Sequence, residues 1–375
     1  MVSPRAAMIW DRAFPEKARA EDSAFAVEVR QFLRDHWPSP PFRPARQEAV
    51  DRWFAALCRH GWSVPAWPVV HGGPGWTLGQ RFIWERAVAL AQAPAMDPVG
   101  VGLVGPLIQA QGDDRLCERY LEDIRTGRSR WAEGLSGLSA RGGGLCARWV
   151  GSSHGLHGEL TAVVGLNRAT HVLCLGAMDG VPGLFAVALT AGGVRQVDAQ
   201  TLVFAGAEAD LLDPLGGGLA ALDAVLCSEQ APVAVTASAE AQLERLKGVL
   251  KETSDGSGDF LRNDPGIKRR LAELEVELTA LQALEARSLA QRTVDGAPDA
   301  KAIQLSLRCA DLESSLGQFL GEAAGYYALA QLDPALMDNE PPIGPGYALP
   351  SIAGMLASFW AFNVRRRLLA AQLIG

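Results

Sequence analysis

The spacing of apolar residues changes twice along the chain, and this double change restricts the fold more than any single motif does. From Phe25 to about Thr126 the apolar residues recur at helical intervals, as in FAVEVRQFLRDHW and RLCERYLEDIRTG. Pro38 stops the first of these runs, and a glycine closes the second, as helix ends prefer. The pattern predicts an all-helical domain over residues 1–128.

The middle of the chain has short apolar runs that are separated by glycine-rich turns. These runs are rich in β-branched residues and read RWAEGLS, ELTAVVGL, THVLCLGA and GLFAVAL. Short runs of this kind, bounded by turn residues, are typical of strands. A compact β domain is therefore predicted over residues 129–218.

Helical spacing returns at Leu219 and continues to the end of the chain. The clearest stretch is PGIKRRLAELEVELTALQALEARSLAQR, in which leucines follow one another three or four residues apart. Two polar or Pro/Gly-rich segments, Thr253–Gly266 and Asp338–Pro350, interrupt the helices. Residues 219–375 are predicted to form a helical bundle, and the α+β order of helical, β and helical domains is unusual in a single protein.

Composition excludes several classes of function. The chain has 35 Lys+Arg and 42 Asp+Glu, a net charge of -7, so it lacks the basic field that nucleic-acid binding needs. Its six cysteines are dispersed and form no CxxC pair, which argues against a zinc site or a disulfide framework. No apolar stretch is long enough to span a bilayer. We expect a soluble cytoplasmic protein with no metal, no nucleic-acid partner and no membrane partner.

The local sequence motifs of the chain resemble those of the acyl-CoA dehydrogenase family from about Phe25 to Gly375. The resemblance rests on GWSVPAWPVVHGGPGWTLGQRFIWERAVAL and on GVGLVGPLIQAQGDDRLCERYLEDIRTGRSRWAEGLS, taken in succession. It implies an N-terminal helical domain, a β-barrel-like middle domain, a C-terminal four-helix bundle and FAD as the cofactor. The bundle stretch LKETSDGSGDFLRNDPGIKRRLAELEVEL resembles the subfamily that handles steroid-type acyl-CoA substrates.

Two motifs of that family are altered here. The family's flavin and acyl-CoA loop reads roughly SEPGAGSD, whereas residues 136–144 read SGLSARGGG and lack the acidic residue, the proline and the aspartate. A family strand, nGxKxWit, brings a tryptophan and a threonine to the flavin, and Ala162 and Val164 stand at those positions. By resemblance, the residues that would contact the cofactor are Leu135, Ser136, Gly142, Gly143, Ala162, Val164 and Arg366. Arg366 belongs to a basic trio that a solvated helix face also explains.

The catalytic carboxylate of the family is not evident. The C-terminal FNVRRRLLAAQLIG aligns with the family's closing helix, and Phe359 then occupies the position where some members place the catalytic glutamate. Other members carry the base on the first bundle helix, near Glu229. Because Pro232 follows closely and disturbs helical geometry, Glu229 is better explained as a solvated polar residue than as the base. No catalytic residue is favoured.

These departures favour a non-catalytic subunit of a heteromeric acyl-CoA dehydrogenase, an oxidoreductase that acts on a CH–CH bond. The resemblance implies FAD shared with a paralogous acyl-CoA dehydrogenase subunit in a heterotetramer, an acyl-CoA substrate and electron-transfer flavoprotein as the acceptor. One alternative is a self-sufficient homomer that uses Glu229 as its base. Another is a structural relative that binds neither flavin nor CoA.

A serine hydrolase is the alternative from a different class. HGGPG at residues 71–75 resembles an oxyanion-hole loop, and Gly134–Leu138 approaches the G-x-S-x-G nucleophile elbow. The elbow needs a strand before it and a helix after it. Here a helix that ends at RTGRS is predicted before it, a glycine loop follows it, and Leu138 breaks the motif. HGGPG is better explained as a surface turn.

Overall fold

A computed structural model describes most of the chain. The described residues are 16–37, 47–111, 113–135, 145–150, 153–212, 217–226, 228, 230, 232–254, 257–295 and 300–324. The helices are α1 (Glu16–His36), α2 (Gln47–His60), α3 (Leu78–Leu90), α4 (Gly105–Gln111), α5 (Asp114–Leu116), α6 (Glu122–Arg125), α7 (Gly218–Leu226), α8 (Ala237–Glu252), α9 (Pro265–Asp295) and α10 (Ala300–Ala324). The strands are β1 (Trp131–Gly134), β2 (Leu145–Val150), β3 (Ser153–Leu160), β4 (His171–Met178), β5 (Val181–Ala188), β6 (Val194–Gln196) and β7 (Leu202–Leu211).

The chain divides into two compact units that do not follow the order of the sequence. The first unit comprises Met1–Ala56, Trp76–Pro94 and Pro232–Gly375, and the second comprises Leu57–Gly75 and Ala95–Ala231. The predicted fold class, with helices before and after a β-sheet, is confirmed. The boundaries at residues 128 and 218 remain predictions. Within the described residues, no helix is both long and apolar enough to cross a membrane.

The first unit is helical, and its buried apolar residues form separate clusters. Helices α8, α9 and α10 share a leucine-rich core that includes Leu246, Leu278 and Leu316, in agreement with the leucine spacing of the sequence. Aromatic residues form another cluster, where the rings of Trp53 and Trp84 stack at 6.1 Å. Trp53 satisfies its indole N–H by donating to the Pro94 carbonyl at 2.9 Å. Burial of apolar side chains supplies the stability of this unit.

A buried polar network also ties the first unit together. The Arg86 guanidinium on α3 donates to Glu240 on α8 at 2.6 Å, and the Gln282 amide on α9 donates to the same carboxylate oxygen at 2.8 Å. Glu285 on α9 accepts from both the backbone N–H and the hydroxyl of Thr236. Because all these groups are buried, each depends on its partner to offset the loss of water.

The second unit contains a closed ring of five strands. Strand β4 pairs with β2, β2 with β3, β3 with β7, β7 with β5, and β5 returns to β4. Strand β1 extends the ring by pairing with β4 in parallel, and β6 pairs with β7. The interior is apolar and includes Ala132, Val163, Val172 and Phe185. This arrangement agrees with the barrel-like domain that the resemblance implies.

One predicted strand is shorter than the sequence suggested. Only the first two residues of ELTAVVGL continue β3, which ends at Leu160. Ala162 then takes a left-handed backbone conformation with φ 54°, and Gly165 does so with φ 87°. A strand cannot continue through such residues, so the chain turns here and only Val164 makes an isolated bridge, to Glu133.

Removing one partner of the buried Arg86–Glu240 pair should destabilise the first unit. Arg86→Met leaves the Glu240 carboxylate buried without its cation, so we expect a loss of about 3–5 kcal/mol in the free energy of unfolding. Arg128→Met is the matched control, because the Arg128–Asp123 pair is exposed and should contribute less than about 1 kcal/mol. Urea unfolding at neutral pH measures both, and equal small losses would contradict the assignment.

Candidate functional site

The side chains of β1 alternate between the barrel interior and an outer face. Ala132 belongs to the barrel core, so Trp131 and Glu133 point the other way. Glu133 and Val164 exchange both backbone hydrogen bonds, each at 2.9 Å, and directly opposed residues of such a pair share a face. Leu173 of β4 is in register with Glu133. We call Trp131, Glu133, Val164 and Leu173 the β1 outer face.

Glu133 is the unusual residue of this face. Only 6% of it is exposed. In the described part of the chain, no side chain or backbone group donates a hydrogen bond to its carboxyl. Burial alone raises the pKa of Glu133 from 4.5 to about 8. The Glu133 carboxyl is therefore mostly protonated at pH 7, and its O–H can donate one hydrogen bond.

The start of β1 is held by a second acidic residue. Asp97 takes φ 40°, and its Oδ1 accepts from the backbone N–H of Gly100 at 3.1 Å and of Trp131 at 3.3 Å. Burial raises the pKa of Asp97 to about 6, and these hydrogen bonds oppose that shift. The Trp131 ring stacks on His171 with centroids 4.9 Å apart. Asp97 holds the backbone of Trp131 and His171 packs on its ring, and both contacts fix the position of the β1 outer face.

A cluster around Asp210 attaches the neighbouring helical segment to the barrel. Asp210 lies on β7, is buried, and accepts from the Tyr120 hydroxyl at 2.5 Å and from Arg115 at 3.1 Å. Arg119 also pairs with Asp210 at 3.0 Å. Burial, together with the hydrogen bond to Asp210, raises the pKa of the Tyr120 phenol. Because the carboxylate is satisfied by three partners, we assign it a structural role.

Three of the residues predicted to contact the cofactor are described. Val164 lies on the β1 outer face and is half-buried, Leu135 follows β1 and is buried, and Ala162 is exposed at the left-handed turn. The pairing of Glu133 with Val164 brings β1 and the 162–164 segment together, but it does not test a ligand role. Ser136, Gly142, Gly143 and Arg366 lie outside the described residues, as do Glu229 and Phe359. Their roles remain predictions.

Glu133 is the residue that sequence reasoning missed. The sequence contains one indication of this residue, since Glu133 is the single acidic residue within the apolar run RWAEGLS. An isolated charge in a strand is usually a solvent-facing residue, however, and the sequence does not show that both faces of β1 are covered. All four residues of β1 are buried, and this is what makes the carboxyl unusual.

The other sequence motifs lie at a turn or extend outside the described residues. The HGGPG segment follows a short 3-10 turn, Val69–His71, and Gly72 is left-handed with φ 86°, which fits the turn expected there. Helix α6 ends at Arg125, but β1 lies between this helix end and Ser136, and β2 is the next described element. The strand that a nucleophile elbow needs before it is therefore present, contrary to the expectation from sequence. In the described residues, no group of three or more His, Cys, Asp or Glu could hold a metal ion.

Comparison with known proteins identifies the fold. Residues 19–128 match the family model described as "Acyl-CoA dehydrogenase, N-terminal domain". No curated protein matches the chain in sequence. The resemblance recognised in the first helical region is therefore confirmed by an independent family comparison.

Solved structures extend the match over nearly the whole chain. The ChsE4-ChsE5 complex from Mycobacterium tuberculosis is similar with a TM-score of 0.68 and 18% identity, covering 93% of this chain and 96% of that one. The Tcur3481-Tcur3483 steroid ACAD has a TM-score of 0.68 and 17% identity, covering 95% and 97%. A glutaryl-CoA dehydrogenase from Mycobacterium smegmatis in complex with FADH2 has a TM-score of 0.64 and 16% identity, covering 97% of both chains. The chain has the acyl-CoA dehydrogenase fold.

The buried acid should make stability depend on pH. The pKa of Glu133 is about 8 in the folded protein and near 4.5 when unfolded, so the folded state binds more protons between these values. Stability therefore falls as pH rises from about 4.5 to 8 and then levels off. Glu133→Gln should remove this part of the slope and stabilise the protein by up to roughly 3 kcal/mol at pH 7.

Urea unfolding between pH 5 and 9 measures the effect. Glu159→Gln, at an exposed position on β3, is the matched control and should leave the slope unchanged. Parallel profiles for the wild type and Glu133→Gln would show that the carboxyl is not buried as described.

Proposed function

We propose that this chain is the non-catalytic subunit of a heteromeric, flavin-dependent acyl-CoA dehydrogenase. The enzyme would introduce an α,β double bond into an acyl-CoA thioester. That reaction needs a carboxylate to remove the proton alpha to the thioester, while the flavin supplies the hydride-accepting chemistry. The fold supports the class of enzyme. The ion pairing, hydrogen bonding and protonation of the buried carboxyl groups support the non-catalytic role.

The buried glutamates carry this proposal. Three described glutamates are buried, namely Glu133, Glu240 and Glu285. Glu240 is neutralised by Arg86, and Glu285 is engaged by Thr236. The raised pKa keeps Glu133 protonated at neutral pH, so it is not poised to accept a proton. Of the buried glutamates that the structure describes, none is both ionised and free to act as a base, which favours a partner subunit as its source.

Of the residues that the resemblance assigns to the flavin, Val164 and Ala162 are described and keep exposed surface. Val164 presents an apolar side chain next to the left-handed turn at Ala162, whereas Trp131, Glu133 and Leu173 are covered by the chain itself. The similar glutaryl-CoA dehydrogenase structure contains FADH2. We propose that FAD binds near Val164 and is shared with the partner subunit.

The proposed partner is a paralogous acyl-CoA dehydrogenase subunit. The similar ChsE4-ChsE5 structure is a complex by its description, and the Tcur3481-Tcur3483 structure is described as a steroid ACAD. Helix α9 of this chain exposes Val276 and Leu284, which another helical surface could cover. We propose a heterotetramer that acts on a steroid side-chain acyl-CoA and passes electrons to an electron-transfer flavoprotein.

Co-expression tests the proposal directly. With the paralogous subunit encoded beside it, this chain should yield a stable yellow complex that desaturates acyl-CoA. Expressed alone, the chain should be free of flavin or poorly soluble, because the partner supplies part of the cofactor site. Co-purification, visible absorbance of bound flavin and turnover with an artificial electron acceptor measure the three properties. A yellow, active homomer would contradict the heteromeric role.

Glu229→Gln in the complex distinguishes the two sources of the base. If the partner supplies the carboxylate, the variant should retain activity within a few-fold. If Glu229 is the base, activity should fall by about a hundred- to ten-thousand-fold. Glu159→Gln, an exposed substitution on β3, is the control for loss of one negative charge.

A further inference from the structure

Helix α9 presents a row of exposed side chains on the side that faces away from the leucine-rich core. Five exposed residues, spaced three or four apart, form this row, and we call them the α9 stripe: Glu273, Val276, Ala280, Leu284 and Arg287. Val276 is 70% exposed and Leu284 is 47% exposed. Because the opposite side of α9 already packs in the core with α8 and α10, the helix has apolar residues on two sides, as helices with two packing partners do.

The α9 stripe is symmetric about Ala280. Val276 lies four residues before Ala280, and Leu284 lies four residues after it. Glu273 and Arg287 stand seven residues away on either side. If two copies of α9 cross antiparallel at Ala280, Val276 of each copy meets Leu284 of the other. The stripe is therefore complementary to itself.

The charges of the stripe select the antiparallel orientation. In that orientation Glu273 of each copy faces Arg287 of the other, and two ion pairs flank the apolar contact. A parallel orientation instead places Glu273 against Glu273 and Arg287 against Arg287, and like charges repel. Among the described residues, neither of these two side chains has an ion pair, so both can pair with a second copy.

A small residue at the centre allows the two helices to approach closely. The distance between packed helix axes depends on the side chains at the crossing point, and small residues bring it to roughly 8 Å. Ala280 is that residue here, whereas the larger Val276 and Leu284 lie one turn away on either side. These larger side chains can fill the space beside the crossing point, as in an antiparallel coiled coil.

We propose that the α9 stripe is a contact surface between two copies of this chain, which pack through antiparallel α9 helices that cross at Ala280. This contact rests on the proposed heterotetramer and deepens it. A tetramer with two copies of each subunit has a two-fold axis that relates the copies of this chain, and a contact on that axis must be complementary to itself. One helix pair is smaller than the interface of a stable dimer, so the contact acts together with the paralogous subunit.

A symmetric disulfide tests the crossing point. In the complex of this chain with its paralogous partner, Ala280→Cys should link most of this chain into covalent dimers under mild oxidation, because residue 280 meets its own copy on the axis. Ala272→Cys is the matched control, an exposed alanine of the same helix whose two copies would lie about 24 Å apart along the helix axes. It should stay at the wild-type background from the native cysteines. Non-reducing electrophoresis and mass spectrometry of the linked peptides measure the result.

Charge reversal supplies a second readout, which a random encounter between copies would not change. In the Ala280→Cys chain at low ionic strength, Glu273→Arg or Arg287→Glu alone should slow the linkage by about two- to fivefold, because like charges then face each other. The double reversal, Glu273→Arg with Arg287→Glu, should restore the rate. Equal rates in all four chains would overturn the antiparallel contact.

Failure of the contact is distinguishable from failure of the proposed function. A yellow, active complex in which Ala280→Cys links no copies, or links this chain to the paralogous subunit, overturns the contact and leaves the enzyme intact. A linked complex that holds no flavin supports the contact and overturns the proposed flavoenzyme. If this chain forms no complex with a paralogous subunit, both proposals are overturned.

Discussion

The pairing of β1 with β4 determines which of the β1 side chains face outward. Two backbone hydrogen bonds between Glu133 and Val164 add to this constraint. They join β1 to a segment that has already left the sheet after the turn at Ala162. Together the two pairings fix the alternation of β1 side chains between the barrel interior and the outer face. The apolar contacts of Leu173 and the buried carboxyl of Glu133 are both consequences of this constraint.

Periodicity was sufficient to predict the elements but not the network of buried polar groups. Helices such as α9 and strands such as β4 follow from residue spacing, because one face of each must be apolar. The Arg86–Glu240 pair joins residues 154 positions apart, and no local pattern indicates that they meet. The early end of β3 was missed for a local reason, since alanine rarely adopts the left-handed conformation found at Ala162.

The candidate site could be predicted only in part, because residue spacing does not show which side chains are brought together in the folded chain. The family resemblance predicted Val164 and Leu135 as cofactor contacts. Val164 lies on the β1 outer face, and Leu135 follows β1. Glu133 was missed because its significance depends on burial, a property of the packed structure and not of the sequence RWAEGLS. The structure thus has a carboxyl at a buried strand position where the apolar pattern of the sequence favours an apolar residue.

Closure of the sheet has a consequence for aggregation. Because β5 pairs with both β4 and β7, the five described strands close on themselves, and fewer of their backbone groups are left for another chain to pair with than in an open sheet. The domain is therefore a poorer template for cross-β aggregation than an open sheet of the same strands would be.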